Sequence, residues 1–237
     1  MKIFLSLLIA LITLTVAAQQ NPFLMVKKID SPTHISFKSI SERLEKNTPS
    51  IAVDKANWKA FPYAPEVSFK MAHDSEKLYL KFYVTEAHIL AQHSKPNTAT
   101  HRDSCVEFFI DPDQSGGYYN FEFNCIGTTH LAYGSDRYER TFIDPQKIKN
   151  SLFIESTLGN QPFEEKSGHF KWEMVVAIPS SIFVQHPNLT FNTLHSKANF
   201  FKCGDDTTKP HYLSWSPIDT PNPDFHRPEF FGNIVFD

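Results

Sequence analysis

Apolar and polar residues alternate along much of this chain with a period of two. Val67, Phe69 and Met71 alternate with Ser68 and Lys70, and Leu78, Leu80, Phe82 and Val84 alternate with Tyr79, Lys81 and Tyr83. The polar run HDSEK at 73–77 turns the first stretch into the second. Side chains that point the same way at every second residue mark a strand with one face in a core. Residues 152–158, 172–178, 199–203, 212–215 and 234–236 also read as strands, separated by turn residues. Helical periodicity is confined to residues 40–46 and a turn opening at Pro179. About eight short strands with so little helix predict an all-β antiparallel sandwich or barrel.

The most informative stretch is 101–127, HRDSCVEFFIDPDQSGGYYNFEFNCIG. Val106, Phe108 and Ile110 alternate with Cys105, Glu107 and Phe109; Tyr119, Phe121 and Phe123 alternate with Tyr118, Asn120, Glu122 and Asn124. This predicts a hairpin closing through residues 112–117, with one apolar face and one face of acids, amides and rings. Counting outward from the loop sets Glu107 opposite Glu122, Phe109 opposite Asn120 and Cys105 opposite Asn124. Directly opposed side chains lie about 5 Å apart at Cβ. Two carboxylates at that spacing repel unless donors or cations stand between them. They suit a retaining glycosidase, whose acid and nucleophile are about 5–5.5 Å apart. They equally suit acceptance of hydrogen bonds from sugar hydroxyls, with Arg102, Arg137 or Lys202 as neutralising cations. An ordinary ion-pair network is the third reading.

The same loop, Asp111 to Glu122, fits the D-x-D-x-S-G…E spacing of a calcium loop with Gly116 at the turn. An EF-hand needs helices on both sides, whereas VEFFI and YYNFEF flank this one as strands. A polar hairpin turn built on Pro112 and Gly116-Gly117 accounts for the residues, and calcium at this loop is the weaker reading.

Composition narrows the picture. Lys2, an apolar run from Ile3 to Val16, and small residues Ala17 and Ala18 form the pattern of a cleaved signal peptide over residues 1–18. The run is too short for a membrane span, so the expectation is a secreted or periplasmic protein. The remainder, 19–237, reads as one domain of about 215 residues. With 22 Phe against 8 Gly, it has the material for a large core without disulfides. The net charge of −3 offers no basic face for nucleic acid. Of three cysteines, Cys105 is expected on the polar face and Cys125 in the core, so those two cannot bridge; Cys203 is open.

Trp172 falls in register with Met174, Val176 and Ile178 and is expected in the core. Trp58, in NWKAFPYAP, is assigned to packing. Trp215 ends HYLSW and meets a proline-rich segment, 216–228, where a rim position would let its ring stack on a sugar. No nucleophile elbow, phosphate loop, dinucleotide fingerprint or metalloprotease motif occurs in the sequence.

The segments HDSEKLYLKFYV, DSCVEFFI, YYNFEFNCIG, ANFFKCGD, HYLSWSPI and DFHRPEFFG, in that order, resemble the carbohydrate-binding module family 9-like proteins of the wider DOMON-like group. The resemblance implies an immunoglobulin-like, DOMON-like antiparallel β-sandwich with short helical pieces that binds carbohydrate without catalysis. It requires no cofactor, although some members hold calcium. It also implies glycan-degrading enzymes as partners, since such modules often accompany a catalytic domain. Carried over by motif, the ligand-binding residues are Arg102, Glu107, Asn120, Glu122, Asn124, Asn199, Lys202 and Trp215; Tyr118 and Arg137 join them as the candidate second ring and a neutralising cation. His101 stands where an aromatic is expected, leaving Tyr118 or Trp58 to oppose Trp215. Two rival functions remain: a hydrolase or lyase using Glu107 and Glu122, and, more weakly, a DOMON-type haem or redox module drawing on Met71.

Overall fold

The computed structural model describes residues 21–237. The expected signal peptide therefore lies outside the described residues. Among the latter, the strands are β1 (Phe23–Lys28), β2 (Ile51–Ala52), β3 (Glu66–His73), β4 (Lys77–Ala91), β5 (Cys105–Asp111), β6 (Tyr118–Asn124), β7 (Thr129–Gly134), β8 (Arg140–Phe142), β9 (Phe153–Ser156), β10 (Phe163–Pro179), β11 (His195–Cys203), β12 (Tyr212–Ser214) and β13 (Gly232–Phe236). Two α-helices join them, α1 (Phe37–Asn47) and α2 (Pro145–Ser151).

The strands form one continuous path, β8-β7-β6-β5-β11-β13-β1-β3-β4-β10-β9, with β12 on β11 and β2 on β3. The path doubles back at β1. Its first half pairs in parallel with β13, Phe23 to Val26 against Asn233 to Phe236, and its end pairs in parallel with β3 at Lys27 and Lys28. The other strand pairings are antiparallel. The two arms thus become the layers of a β-sandwich, as the alternation predicted. β1 breaks the antiparallel rule because it belongs to both layers.

The inward rows of both layers meet in one core. Val106, Phe108, Phe121 and Phe123 of the first layer share it with Phe69, Leu80, Phe82, Trp172 and Met174 of the second. Phe69 stacks on Phe200 with ring centroids 3.6 Å apart. Met71, the residue behind the haem reading, is packed in the same core. Trp172 is buried there as expected, and its indole N–H donates to Glu86 Oε1 at 2.7 Å.

Helix α1 closes the outer face of the second layer. Ser36 caps it by accepting from the Ser39 amide, and Ile40 and Leu44, one turn apart, sit on Ala72, Tyr79, Val175 and Ala177. The alanines let the helix backbone come close to the sheet. The alternation pattern finds the strands with one clean face and misses β1, β2, β7 and β8. FLMVKK and THLAYG lack strict alternation, and the other two have two and three residues. Asp144, which caps α2, is the local signal for that helix.

Candidate functional site

The β5–β6 hairpin has the register expected from the loop count: Cys105 opposes Asn124, Glu107 opposes Glu122 and Phe109 opposes Asn120. Gly116 carries φ +92° in the turn, and Asp111 accepts from the Ser115 and Gly116 amides at 3.1 and 2.9 Å. Asp111 thus fastens its own turn. Glu122 lies back along β6 at the opposite end of the calcium-like spacing.

The polar face of this layer is covered. Every residue of β5 and β6 is buried, because Trp58, Ile218, Phe225 and Phe231 from connecting segments pack on Phe109, Tyr118 and Phe201. The cover leaves an opening above the two acids. This cavity has a volume of about 110 Å³. Glu107, Glu122 and Cys203 form its floor, with Tyr212 and Phe225 as aromatic walls. His101, Arg137, Arg140, His226, Asp205 and Asp224 supply charge and hydrogen-bonding capacity around it.

The two carboxyls behave differently. Burial, reinforced by the charge of Glu122, pushes the Glu107 carboxyl well above the usual carboxylate range, so Glu107 holds its proton. The Cys203 thiol donates to its Oε1 at 3.1 Å. Burial acts on Glu122 in the same sense, but the imidazoles of His130 and His101 outweigh it and hold that carboxyl below its ordinary range. Asn120 Nδ2 donates to Glu122 Oε1 at 2.9 Å and the Thr100 hydroxyl to Oε2 at 3.1 Å. His101 Nδ1 is 3.7 Å from Oε2, and this neighbouring carboxylate raises the His101 imidazole. Burial instead lowers His130 and brings His226 down to about 3. Arg137 bridges to Asp224 at 2.9 Å on the rim.

Of the ten residues singled out by sequence, Glu107, Glu122 and Arg137 line the cavity. Two more lie directly behind that lining. Tyr118 is buried with its hydroxyl 2.8 Å from His226 Nδ1, and Asn120 orients Glu122. Five lie elsewhere. Arg102 is a half-exposed partner of Asp206 at 3.8 Å. Asn124 ties a turn, donating to the His93 carbonyl and Asp103. Asn199 clasps Ser216, accepting from its amide at 2.8 Å and donating to its carbonyl at 3.1 Å.

Two expectations require correction. Lys202 alternates with Phe201 and Cys203 and therefore turns to the opposite face, into the space between the layers. There its ammonium is fully buried, 2.9 Å from Glu86 Oε2 and 2.8 Å from His211 Nε2. Trp215 is no rim platform. It is 7% exposed and meets Phe69 and Phe200 edge-on, with centroids 6.4 and 5.8 Å away. Its ring also lies over Gly232, where an added Cβ would come within 2.5 Å of it. The prolines that follow hold the chain over the sheet and do not project Trp215 into solvent. Trp58 packs as expected, its N–H donating to the Thr220 carbonyl.

Sequence reasoning missed His101, Arg140, Asp205, Tyr212, Phe225 and His226 as a set. Most sit within the recognisable segments ANFFKCGD, HYLSWSPI and DFHRPEFFG or beside them. No periodicity distinguishes them, because Arg140 and Tyr212 open the three-residue strands β8 and β12 and connecting segments carry the rest.

A small polar cavity on the outer face of a β-sandwich, floored by paired acids and walled by rings, defines a class of small-ligand binding module. The model of the carbohydrate-binding family 9 matches residues 39–236, and the chain belongs to that family. It is 38% identical to a candidate carbohydrate-binding protein of Bacteroides uniformis ATCC 8492, covering 92% of this chain and 100% of that one with a TM-score of 0.88. A family 9 carbohydrate-binding module of Caldicellulosiruptor kristjanssonii, solved with glucose, shares the fold at 13% identity and a TM-score of 0.59, covering 91% of this chain and 96% of that chain. Its complex with cellotriose aligns at 12% identity and 0.58, covering 91% and 93%. No curated protein matches the chain in sequence.

Proposed function

We propose that the protein binds carbohydrate in the Glu107–Glu122 cavity, taking one terminal sugar of a glycan, and releases it unchanged. The observation that supports this most directly is the opposed pair of carboxyls, Glu107 and Glu122, lining a cavity open to solvent. Together with Arg137 and His101 they present donors and acceptors within one small space, which suits a ring bearing several hydroxyls. Tyr212 and Phe225 provide apolar surface for the ring's C–H face. Family membership and the sugar complexes of modules with the same fold point the same way. The reading includes export, by the leader at residues 1–18, to the periplasm or beyond, and action beside separate glycan-degrading enzymes. Among the described residues no helix is long and apolar enough to cross a membrane.

One observation favours a second reading. A carboxyl that keeps its proton opposite one that does not is the division of labour of a retaining glycosidase. Against it, Asn120 and Thr100 each donate to one oxygen of Glu122, which weakens it as a nucleophile yet leaves each oxygen a lone pair for a hydroxyl. Titration with glucose, cellotriose and a glycan array, followed by prolonged incubation with whatever binds, separates the two. Saturable binding with no reducing-end release is the expected outcome. Product formation abolished by Glu107→Gln would replace the binding reading with the hydrolase.

A further inference from the structure

Cys105 and Cys203 are directly opposed partners on the adjacent antiparallel strands β5 and β11. Opposed residues of an antiparallel pair have Cα atoms about 4.5 or 5.5 Å apart, and a disulfide accepts about 4.4–6.8 Å. Both thiols point to the covered outer face, and their Sγ atoms and a Glu107 carboxylate oxygen all lie within 4.8 Å of one another. Both are free in this structure. Cys125 lies on the opposite face, in the core, with its thiol directed to the Leu90 carbonyl at 3.5 Å. Side-chain rotation alone brings the first two sulfurs together, and the third has no partner.

We infer that Cys105 and Cys203 are a disulfide site beneath the cavity, and that closing the bond frees Glu107 Oε1 for a ligand. In the reduced form the Cys203 S–H satisfies that oxygen. Oxidation removes the proton and swings the sulfur toward Cys105. Glu107 then has an unpartnered acceptor facing the cavity. The chemistry is thiol–disulfide exchange with a small-molecule disulfide such as oxidised glutathione. One cysteine thiolate attacks it, forming a mixed disulfide and expelling one glutathione thiolate. The second cysteine thiolate displaces the other, so two protein thiols are oxidised as one glutathione disulfide is reduced to two thiols. Burial pushes the Cys105 thiol up to about 12 and Cys203 well above its ordinary range, which keeps both protonated once packed. The bond therefore forms during folding, before β11 docks on β5.

The consequence for ligand affinity rests on the proposed sugar site; the bond itself does not. The test refolds the full chain in buffers of reduced or oxidised glutathione, then denatures it, alkylates free thiols and maps the peptides. Oxidised refolding should leave Cys125 as the one alkylated thiol and yield a cross-linked peptide joining Cys105 to Cys203. Because the bond closes a loop of about 100 residues, the melting temperature should rise on the order of 10 °C. Cys105→Ser should abolish both changes. Three alkylated cysteines after oxidised refolding would overturn the inference, as would a cross-link to Cys125. Stoichiometric zinc retained after incubation with zinc alone, with all three thiols alkylatable after chelation, would also overturn it. In sugar titrations the oxidised wild type should bind about three- to tenfold tighter than the reduced form. Equal affinities would overturn the link to Glu107. No binding by either form would overturn the sugar site and leave the disulfide standing on the peptide map.

Discussion

Glu107 holds its proton in the folded protein at pH values where the unfolded chain has released it. That extra bound proton makes stability fall as pH rises, from the unfolded carboxyl range near about 4.3 up to the folded value, by at most about 1.4 kcal/mol per pH unit. Glu107→Gln has no proton to lose. Melting curves of the two proteins between about pH 5 and 6 should therefore diverge, the wild type losing stability relative to the variant. This window lies below the titration of His101, which is raised and adds the same sign at higher pH. It lies above that of Glu122, which is lowered and gives the opposite sign at acid pH. Parallel curves would mean that Glu107 is ionised. Trp215 gives a second residue-scale expectation. Truncation to Ala should cost about 3–5 kcal/mol by leaving a cavity against Phe69 and Phe200, as for any large core ring. Denaturant titration measures this, and a change below about 1 kcal/mol would contradict the packing. The error about Trp215 has a physical source. Its position at a strand end is visible in sequence, whereas the sheet it leans against is brought there by residues far away in the chain.

At the scale of elements, the hairpin was legible and its surroundings were not. Alternation plus a six-residue loop determines which side chains of β5 and β6 share a face, so Glu107, Glu122, Tyr118 and Asn120 could be grouped from sequence. A strand read singly gives no such control. Lys202 was assigned to the site by its motif ANFFKCGD, although period-two geometry sets it on the side opposite Phe201 and Cys203. There it links β11 to β4, one strand from each layer, through Glu86. A buried pair of this kind contributes little net stability, but breaking one partner is costly. Lys202→Ala should therefore destabilise by about 3–5 kcal/mol, while Glu86→Leu with Lys202→Met should recover much of the loss. Chemical denaturation of the single and double variants checks this. A single variant as stable as wild type would show that the pair carries no charge.

The fold class of the whole molecule was readable because it depends on a pattern repeated along the chain. Closure of the sandwich was not, because β1 carries no local signal for two partners more than forty residues away and at the far end of the chain. That strand has a consequence for how the protein comes into being. A polypeptide is made from its N-terminus, so β1 exists first, while β13, its partner over four residues, emerges after every other described strand. Until Gly232–Phe236 arrives, both β1 and β11 have an open edge, and the two layers lack the seam that joins them. A chain ending at residue 231 should therefore fail to fold cooperatively and should aggregate through those edges, as light scattering and loss of the thermal transition would reveal. The chain should stay loose until β13 has been made. The five residues of β13 act as a clasp that no strand ahead of them can fasten early.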